Sequence, residues 1–538
     1  MARGSRHPLI SGTVVTSLGT LVSRVLGMLR DRATASLLGA SGSPVADAFV
    51  IAFRIPNLFR RLFGEGALTA SYLPVLTAQL ERDPKVARQL ATLVVVWLTV
   101  ALTVLVAAGE LLFALVSYIW GHVPGVDLLM GLSAAMLPYL LLVCVAAQLT
   151  TMLYAAQHFT VPGLTPAMLN VVMLVAAWGV APAFAPNQIA QAYVLAVGVV
   201  VAGVSQIVVQ LPMLRRLGYR FDYNWAAART SVRQIARNLA PMLVGLAVTQ
   251  INTFNDSLVA WGLAGSPTGP QNIGWLGVRY PMRQGAAAVL YYGERFYEVP
   301  VGIVGMSVAV AIFPLLARHA AHGDRRQLGN DMTLGLRLLL CLSIPAGAGL
   351  MLMAQPIARL ILQNGQFGPE DTARAARAIA CYASAVWAYC AAPVVVRGYY
   401  ALNDMGTPVR VAAWMVGLNL LLNFTLIWTP LEEAGLAMST AIAAAAQLFV
   451  LTVIFSRGHA PLGWRQLGAT TVRTVLATAA MGAAVYASLH WMPAGERLNE
   501  QLVRVGVPIA CGAAVYCVAY WLLGGRELGM LLSGKSDG

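Results

Sequence analysis

The chain has 538 residues, 58% of them hydrophobic and 11% charged, with a formal net charge of +14. That composition leaves too little polar surface to clothe a soluble globule of this size, so the sequence reads as an integral membrane protein. The positive charge invites nucleic acid as a partner, but the placement of the basic residues argues against it, as shown below.

Apolar runs of about 17 to 25 residues recur roughly fourteen times, centred near 18, 55, 102, 142, 172, 200, 248, 305, 345, 388, 418, 445, 480 and 512. The first thirty residues start basic and turn apolar, as a secretory signal does. The run continues through Arg24 to Arg30 with no short h-region or small-residue cleavage site, which predicts a retained first span. Helix 1 is expected over about Ile10 to Leu37, which places Arg24 about 21 Å along it, too deep to snorkel to the near interface. At 100° per residue Arg24 and Asp31 share a face, with Arg30 about 120° away. Arg30 and Arg32 lie nearer the outer end.

Helix 2 starts after the SerGlySerPro turn at 41–44, with Asp47 in its first turn, where a carboxylate suits the helix dipole. From Val45 to Leu80 it would measure about 54 Å if straight, more than a hydrocarbon core of about 30 Å. It must tilt or bend, and Pro56, Gly64, Gly66 and Pro74 supply the places. Arg54, Arg61 and Glu65 read as interfacial or gate residues, and Arg60 as a cation inside the span. A cation in hydrocarbon costs several kcal/mol or more, so it needs a purpose.

Helices 3 to 6 are ordinary in composition, Glu110 being the odd charge, open to a lumen-facing or an interfacial reading. The basic segment 215–237, with Trp225, Val232 and Ile235, is expected to lie on an anionic leaflet and to link two lobes. The Gly- and Pro-rich stretch 261–288 has no assigned role. Helix 8 carries Glu294, Arg295 and Glu298, and the i,i+3 spacing of Arg295 and Glu298 allows a salt bridge.

The second half repeats the first. Tyr154 and Pro162 recur as Tyr400 and Pro408, both 246 residues on; Asn170 is matched with Asn419, and Pro56 and Pro74 with Pro300 and Pro314. Paired repeats of six helices are a transporter signature. The expected layout is residues 1–214 as an N-terminal lobe, 215–237 as linker, 238–458 as a C-terminal lobe, and 459–538 as helices 13 and 14 with a tail. The fold class is an all-α membrane protein of about fourteen helices, with two pseudo-symmetric six-helix lobes around a central cavity plus two C-terminal helices.

With the N-terminus placed in the cytoplasm, nineteen Lys and Arg fall in cytoplasmic loops and tails and five in the opposite loops. That is the positive-inside bias, and it predicts both termini in the cytoplasm. The six cysteines all sit in apolar runs without metal or redox spacing, so they are expected to pack or to face lipid.

The residues SerArgValLeuGlyMetLeuArgAsp (23–31), AlaAspAlaPhe (46–49), ArgIleProAsnLeuPheArgArgLeuPheGlyGluGlyAla (54–67), SerTyrLeuProVal (71–75) and TyrTyrGlyGluArg (291–295) closely resemble the MurJ/MviN family of bacterial lipid II flippases, within the multidrug/oligosaccharidyl-lipid/polysaccharide exporter superfamily. The resemblance runs through helices 1 to 12. It implies a protein of the bacterial inner membrane that moves undecaprenyl-pyrophosphate-linked disaccharide-pentapeptide to the outer leaflet by alternating access, for cell wall biogenesis and cell shape, with lipid II, membrane lipids and other cell-wall synthesis proteins as partners. The family's cavity arginines fall on Arg24, Arg30, Arg60 and Arg295, and its acidic partners on Asp31 and Asp47. Some members hold a sodium ion, for which the matching positions are Asp256, Asn419, Asn423 and Thr440, with Asn423 where an acid is expected. Glu294 stands in place of a more usual Asp.

A diphosphate presents two charges and several acceptor oxygens, which planar, always-protonated guanidinium forks suit. A drug or cation antiporter of the same superfamily is the nearest alternative, but it would want an aromatic, acidic cavity. An enzyme acting on polyprenyl phosphates would want an Asp-rich metal motif or a nucleophile with its base, and neither is present. A membrane scaffold leaves the intramembrane arginines without a purpose.

Overall fold

The computed structural model describes residues 6–64, 67–219, 222, 229–266, 272–274, 277–492, 495 and 497–533. Glu65, Trp225, much of the centre of the 215–237 segment and parts of the 261–288 stretch lie outside the described residues.

In hydrocarbon every backbone N–H and C=O must be bonded within its own segment, and so the apolar runs become helices. In chain order these are α1 (Arg6–Leu38), α2 (Val45–Phe59), α3 (Ala67–Arg82), α4 (Pro84–Trp120), α5 (Val126–Met136), α6 (Pro138–Ala155), α7 (Thr160–Val175), α8 (Gln188–Arg216), α9 (Arg229–Gly262) and α10 (Ala286–Pro300). There follow α11 (Met306–Ala321), α12 (Arg325–Leu352), α13 (Ala354–Leu362), α14 (Pro369–Ala383), α15 (Val386–Ala401), α16 (Gly406–Leu426), α17 (Ala434–Gly458), α18 (Trp464–Trp491), α19 (Leu498–Leu522) and α20 (Glu527–Ser533). Ten rods are long and apolar enough to cross a membrane, and α14 with α15, bent by 41°, makes an eleventh. Three more rods have the length but carry arginines or carboxamides that lower their hydropathy: α1, α2 with the π-turn Arg60–Gly64 that continues it, and α9. Fourteen membrane-length rods therefore stand among the described residues, as the sequence predicts.

The chain divides into two compact units, Met1–Trp261 with Asn364–Phe367, and Gly262–Gln363 with Gly368–Gly538. The division falls at Trp261, beyond the 215–237 segment that charge alone suggests as the linker. In the first unit α1 lies along α7, α2 along α5, and α6 along α8. A Cβ on Gly19 would stand 2.4 Å from the carbonyl oxygen of Gly163, so α1 and α7 cross backbone to backbone. Such small-residue crossings maximise van der Waals contact where lipid offers helices no hydrophobic drive to associate. One end of the unit is a core of Tyr72, Leu76, Leu90, Leu149, Leu214 and Ile235. At the C-terminal end of α1 the N–H of Gln366 donates to the carbonyl of Ser36 at 2.9 Å, which is why 364–367 belongs with this unit.

The second unit packs α10 to α12 and α14 to α17 around Leu336, Leu339, Val394, Tyr399, Leu451 and Phe455, with α18 and α19 laid against α12. The 261–288 stretch, left without a role by its sequence, is closed by pairing of β1 (Ala264–Gly265) with β2 (Met282–Arg283). The buried Arg374 pins its end: Nη1 donates to the carbonyl of Gln284 at 2.9 Å and Nη2 to that of Arg283 at 3.2 Å, while Nε donates to Glu433 Oε1 at 2.7 Å. Of the six cysteines, Cys144, Cys341, Cys381 and Cys390 are buried and Cys511 and Cys517 exposed, so they divide between the two roles expected of them.

The internal repeat is visible in the helix ends. Helices α6 and α15 stop at 155 and 401, α7 and α16 start at 160 and 406, and α8 and α17 start at 188 and 434, each pair 246 residues apart. Gln157 and Asn403 both turn left-handed, at φ 57° and 58°. They donate their N–H to Tyr154 and Tyr400, while His158 and Asp404 donate theirs to Leu153 and Tyr399. Cys144 and Cys390 each place Sγ 3.9 Å from a carbonyl, that of Phe59 or Pro300, which precedes a π-turn, Arg60–Gly64 or Val301–Gly305. In this register the counterpart of Asn170 is Val416; the match of Asn170 with Asn419 is three residues, almost one helical turn, out of phase.

Candidate functional site

Pro56 has no N–H to give, and past Phe59 the helix widens into the π-turn Arg60–Gly64, so its regular bonding is broken in the region where the sequence places Pro56 and Gly64. Asn57 Nδ2 donates to the carbonyl of Phe53 at 3.0 Å, and its Oδ1 accepts from Arg60 Nε at 3.2 Å. This holds the half-buried guanidinium at the C-terminal end of α2, where the helix dipole favours a cation. Arg60 there lines a cavity of about 260 Å³ with Thr150, Thr151, Tyr154, Thr165 and Gln206.

Arg30 is buried. Its Nε and Nη2 donate to Asp31 Oδ1 at 3.1 and 2.7 Å, Nη1 donates to Asn170 Oδ1 at 3.0 Å, and the guanidinium lies 5.4 Å from the ring centre of Phe53. Asn170 in turn donates to the carbonyl of Ser23 at 2.8 Å. The helical wheel pairs Asp31 with Arg24, but the structure gives Asp31 to Arg30: a side chain with four rotatable bonds reaches round the helix to its neighbour, which a Cβ projection ignores. Arg24 is half-buried and has no hydrogen-bond or ion-pair partner among the described residues. Asp47 is 1% exposed in the first turn of α2. Arg61 Nη1 lies 3.5 Å from Gln250 Oε1, and Arg54 is half-buried on α2.

In the second unit Arg295 Nη1 donates to Glu298 Oε2 at 2.8 Å, the i,i+3 pair the sequence allows, and the guanidinium sits 4.5 Å from the centre of the Tyr291 ring. Glu294 is buried beside it on α10. Of the four residues matched to a sodium ion, three come together. Asn419 Nδ2 donates to Thr440 Oγ1 at 3.2 Å and to Ser439 Oγ at 3.3 Å, Asn423 Nδ2 donates to Asn419 Oδ1 at 3.1 Å, and Ser439 donates to Asn423 Oδ1. Carboxamide and hydroxyl oxygens fit a hard monovalent cation in kind. Asp256, the one carboxylate of the set, is buried on α9 in the first unit. Among the described residues no group of three or more His, Cys, Asp or Glu could hold a metal ion.

Sequence reasoning missed Asn170 as the partner of Arg30, and it missed Thr150, Thr165 and Gln206 on the cavity. A signal was present for two of them: Thr165 lies three residues from Pro162, and Asn170 stands among the residues matched between the two halves.

The family model "Lipid II flippase MurJ" matches residues 34–498. A protein of Vibrio cholerae serotype O1 named probable lipid II flippase MurJ is 32% identical over 500 residues, covering 90% of this chain and 89% of its own. One of Rhizobium tropici with the same name is 30% identical over 511 residues, covering 93% and 91%. A solved structure titled "Lipid II flippase MurJ, inward closed conformation" superposes with a TM-score of 0.72 at 20% identity, over 96% of this chain and 99% of that one, a likeness of fold. The chain therefore belongs to the lipid II flippase MurJ family.

Proposed function

We propose that this protein moves lipid II, the undecaprenyl-pyrophosphate-linked disaccharide-pentapeptide, from the inner to the outer leaflet of the bacterial cytoplasmic membrane, with both termini in the cytoplasm. It acts as a transporter rather than an enzyme: the head group crosses and no covalent bond changes. The obstacle is electrostatic, since a doubly charged diphosphate in hydrocarbon carries a desolvation penalty of at least several kcal/mol per charge. The observation that carries the reading is Arg60, a guanidinium held by Asn57 at the wall of a largely apolar cavity whose polar groups are Thr150, Thr151, Tyr154, Thr165 and Gln206. An arginine so placed replaces part of the hydration shell the phosphates lose, while the prenyl tail stays in lipid.

Arg24, Arg30 and Arg295 are proposed as further head-group contacts, with Asp31 holding the Arg30 guanidinium in orientation and Asp47 as a second acidic partner. A sodium ion is a separate proposal: of the matched residues Asp256, Asn419, Asn423 and Thr440, the last three would hold it within the second unit, supported by the gathered oxygens of α16 and α17. Its test is the melting temperature in sodium against choline chloride: a sodium-dependent rise that Asn419→Ala removes supports it, and equal melting sinks it.

The experiment for the function itself is rescue. Expressed in a strain depleted of its own lipid II flippase, the wild-type chain restores growth and exposes lipid II on the outer leaflet. Absence of rescue by an inserted, folded protein would overturn the reading.

A further inference from the structure

The cavity beside Arg60 has a chemistry of its own. Thr151 and Thr165 donate their hydroxyl protons to the carbonyls of Ala147 and Val161, each at 2.9 Å, and Thr150 donates to Gln210 Oε1 at 3.0 Å. A hydroxyl has one proton, so Thr150 and Thr165 now have only lone pairs to offer the cavity. Gln206 is 5% exposed and lines the same space, and its Oε1 accepts no hydrogen bond among the described residues. One turn along α8 the contrast is plain. Gln210 uses both ends of its carboxamide, accepting from Thr150 and donating to the carbonyls of Ala146 and Gln206 at 3.1 and 2.9 Å. Gln210 is structural, whereas Gln206 is a buried polar group waiting for a partner.

The repeat says the hollow is not imposed by the fold. At the matching positions of the second unit, Arg60, Thr150, Thr165 and Gln206 become Val301, Val396, Val411 and Thr452. Val411 belongs to that unit's apolar core, Val301 and Val396 pack against it, and Thr452 bonds its own helix at Leu448. One backbone arrangement is thus filled with apolar side chains in the second unit and left open, with polar groups among its lining, in the first.

The lone pairs of Thr150 and Thr165 repel an anion and Arg60 repels a cation, while the Gln206 carboxamide, whose Nε2 makes no bond among the described residues, can donate as well as accept. The lining suits a neutral group rich in O–H and N–H donors that is attached to something negative. We propose that this pocket receives an acetamido sugar ring of the lipid-linked substrate, its hydroxyl and amide protons donated to Gln206, Thr150 and Thr165, with Arg60 placed between the ring and the diphosphate. The proposal rests on the lipid II reading and adds a sugar subsite within the first unit.

The test compares two lipids on the purified full-length protein in nanodiscs: lipid II, and undecaprenyl diphosphate, which lacks the sugars. Gln206→Leu and the isosteric Thr165→Val should each weaken lipid II about fivefold to tenfold, the loss of one neutral hydrogen bond, and leave undecaprenyl diphosphate unchanged. Arg60→Ala should weaken both. Thr165→Val removes only an internal back-bond within α7 and so remains folded if Gln206→Leu does not. Variants that bind lipid II like the wild type, or lose both lipids alike, overturn the sugar pocket. A wild-type protein that binds the two lipids equally overturns it as well and leaves the function standing, whereas one that binds neither overturns both.

Discussion

Arginines are buried in both units, and they are used differently. In the second unit Arg374 and Arg337 are fixed by carboxylates: Arg374 by Glu433 and two carbonyls, Arg337 through Nε and Nη2 by Glu527, which is 0% exposed and also accepts from Thr470 at 2.7 Å and Tyr520 at 2.6 Å. Burial would raise the Glu527 carboxyl, but the hydrogen bonds from Tyr520, Thr470 and Arg337 outweigh it and hold it at about 2. Both pairs join elements far apart in sequence, α14 to the loop before α17 and α12 to α20. In the first unit Arg60 is steadied by an uncharged carboxamide and turned toward a cavity. A guanidinium whose bonds tie distant elements together is a fastener; one held at the wall of a cavity stands where a ligand can reach it.

The sharpest way to break this comparison is to swap the two losses. Arg60→Ala should abolish rescue of a flippase-depleted strain while the melting temperature of the purified protein stays close to wild type, within about 0.5 kcal/mol of stability. Arg374→Met should do the reverse. It leaves Glu433 buried without its partner, which costs about 3 to 5 kcal/mol, and any transport loss should track the folded fraction. If Arg60→Ala melts early, or Arg374→Met folds normally but does not transport, the division between fastener and ligand group fails.

A smaller effect sharpens it. Glu527→Gln keeps the shape of the side chain but removes its charge, so the Arg337 and Tyr520 bonds weaken without a cavity opening, at a cost of about 1.5 to 3 kcal/mol. Because Glu527 begins α20 and faces α12, α18 and α19, the loss should appear first as hydrogen exchange in the last fifteen or so described residues, with transport retained at permissive temperature. Tyr516→Phe, which deletes the 2.5 Å bond from the phenol to the carbonyl of Cys341 between α19 and α12, should cost about 1 kcal/mol in the same region.

The sequence made the rods legible because hydrocarbon leaves a helix no alternative, and it made the repeat legible because Tyr154 and Pro162 recur as Tyr400 and Pro408 at one interval. It showed Arg24, Arg30 and Arg60 as anomalies for the same reason. What it hid were partners set by tertiary contact. Nothing in the order of residues says that Arg374 reaches Glu433, fifty-nine positions away, or that Asn170 rather than a carboxylate alone seats Arg30. Polar residues such as Thr150 and Gln206 look alike whether they bond their own helix or face a hollow, and only the crossing of α6, α7 and α8 separates those cases.

The smallest effect tests the repeat itself. Asp404 accepts the N–H of Thr407 at 3.0 Å at the start of α16 and lies 3.4 Å from His459. Burial raises its carboxyl slightly, but the bonds from Thr407 and the charge of His459 prevail and hold it below the usual aspartate value. A carboxyl lower in the folded than in the unfolded chain adds stability that is full above the unfolded value and lost as pH falls through the folded one, so the effect is confined to acid below about pH 4. The twin turn in the first unit makes the same backbone bonds with His158 in this place, so the turn does not need the carboxylate. Asp404→Asn, which still caps the helix, should therefore change stability at pH 7 by less than about 1 kcal/mol, the group being well solvated. In thermal melts from pH 7 to pH 3 the variant should lose less stability than the wild type on acidification. A larger loss at neutral pH would mean that the two turns, alike in backbone, are not alike in what holds them.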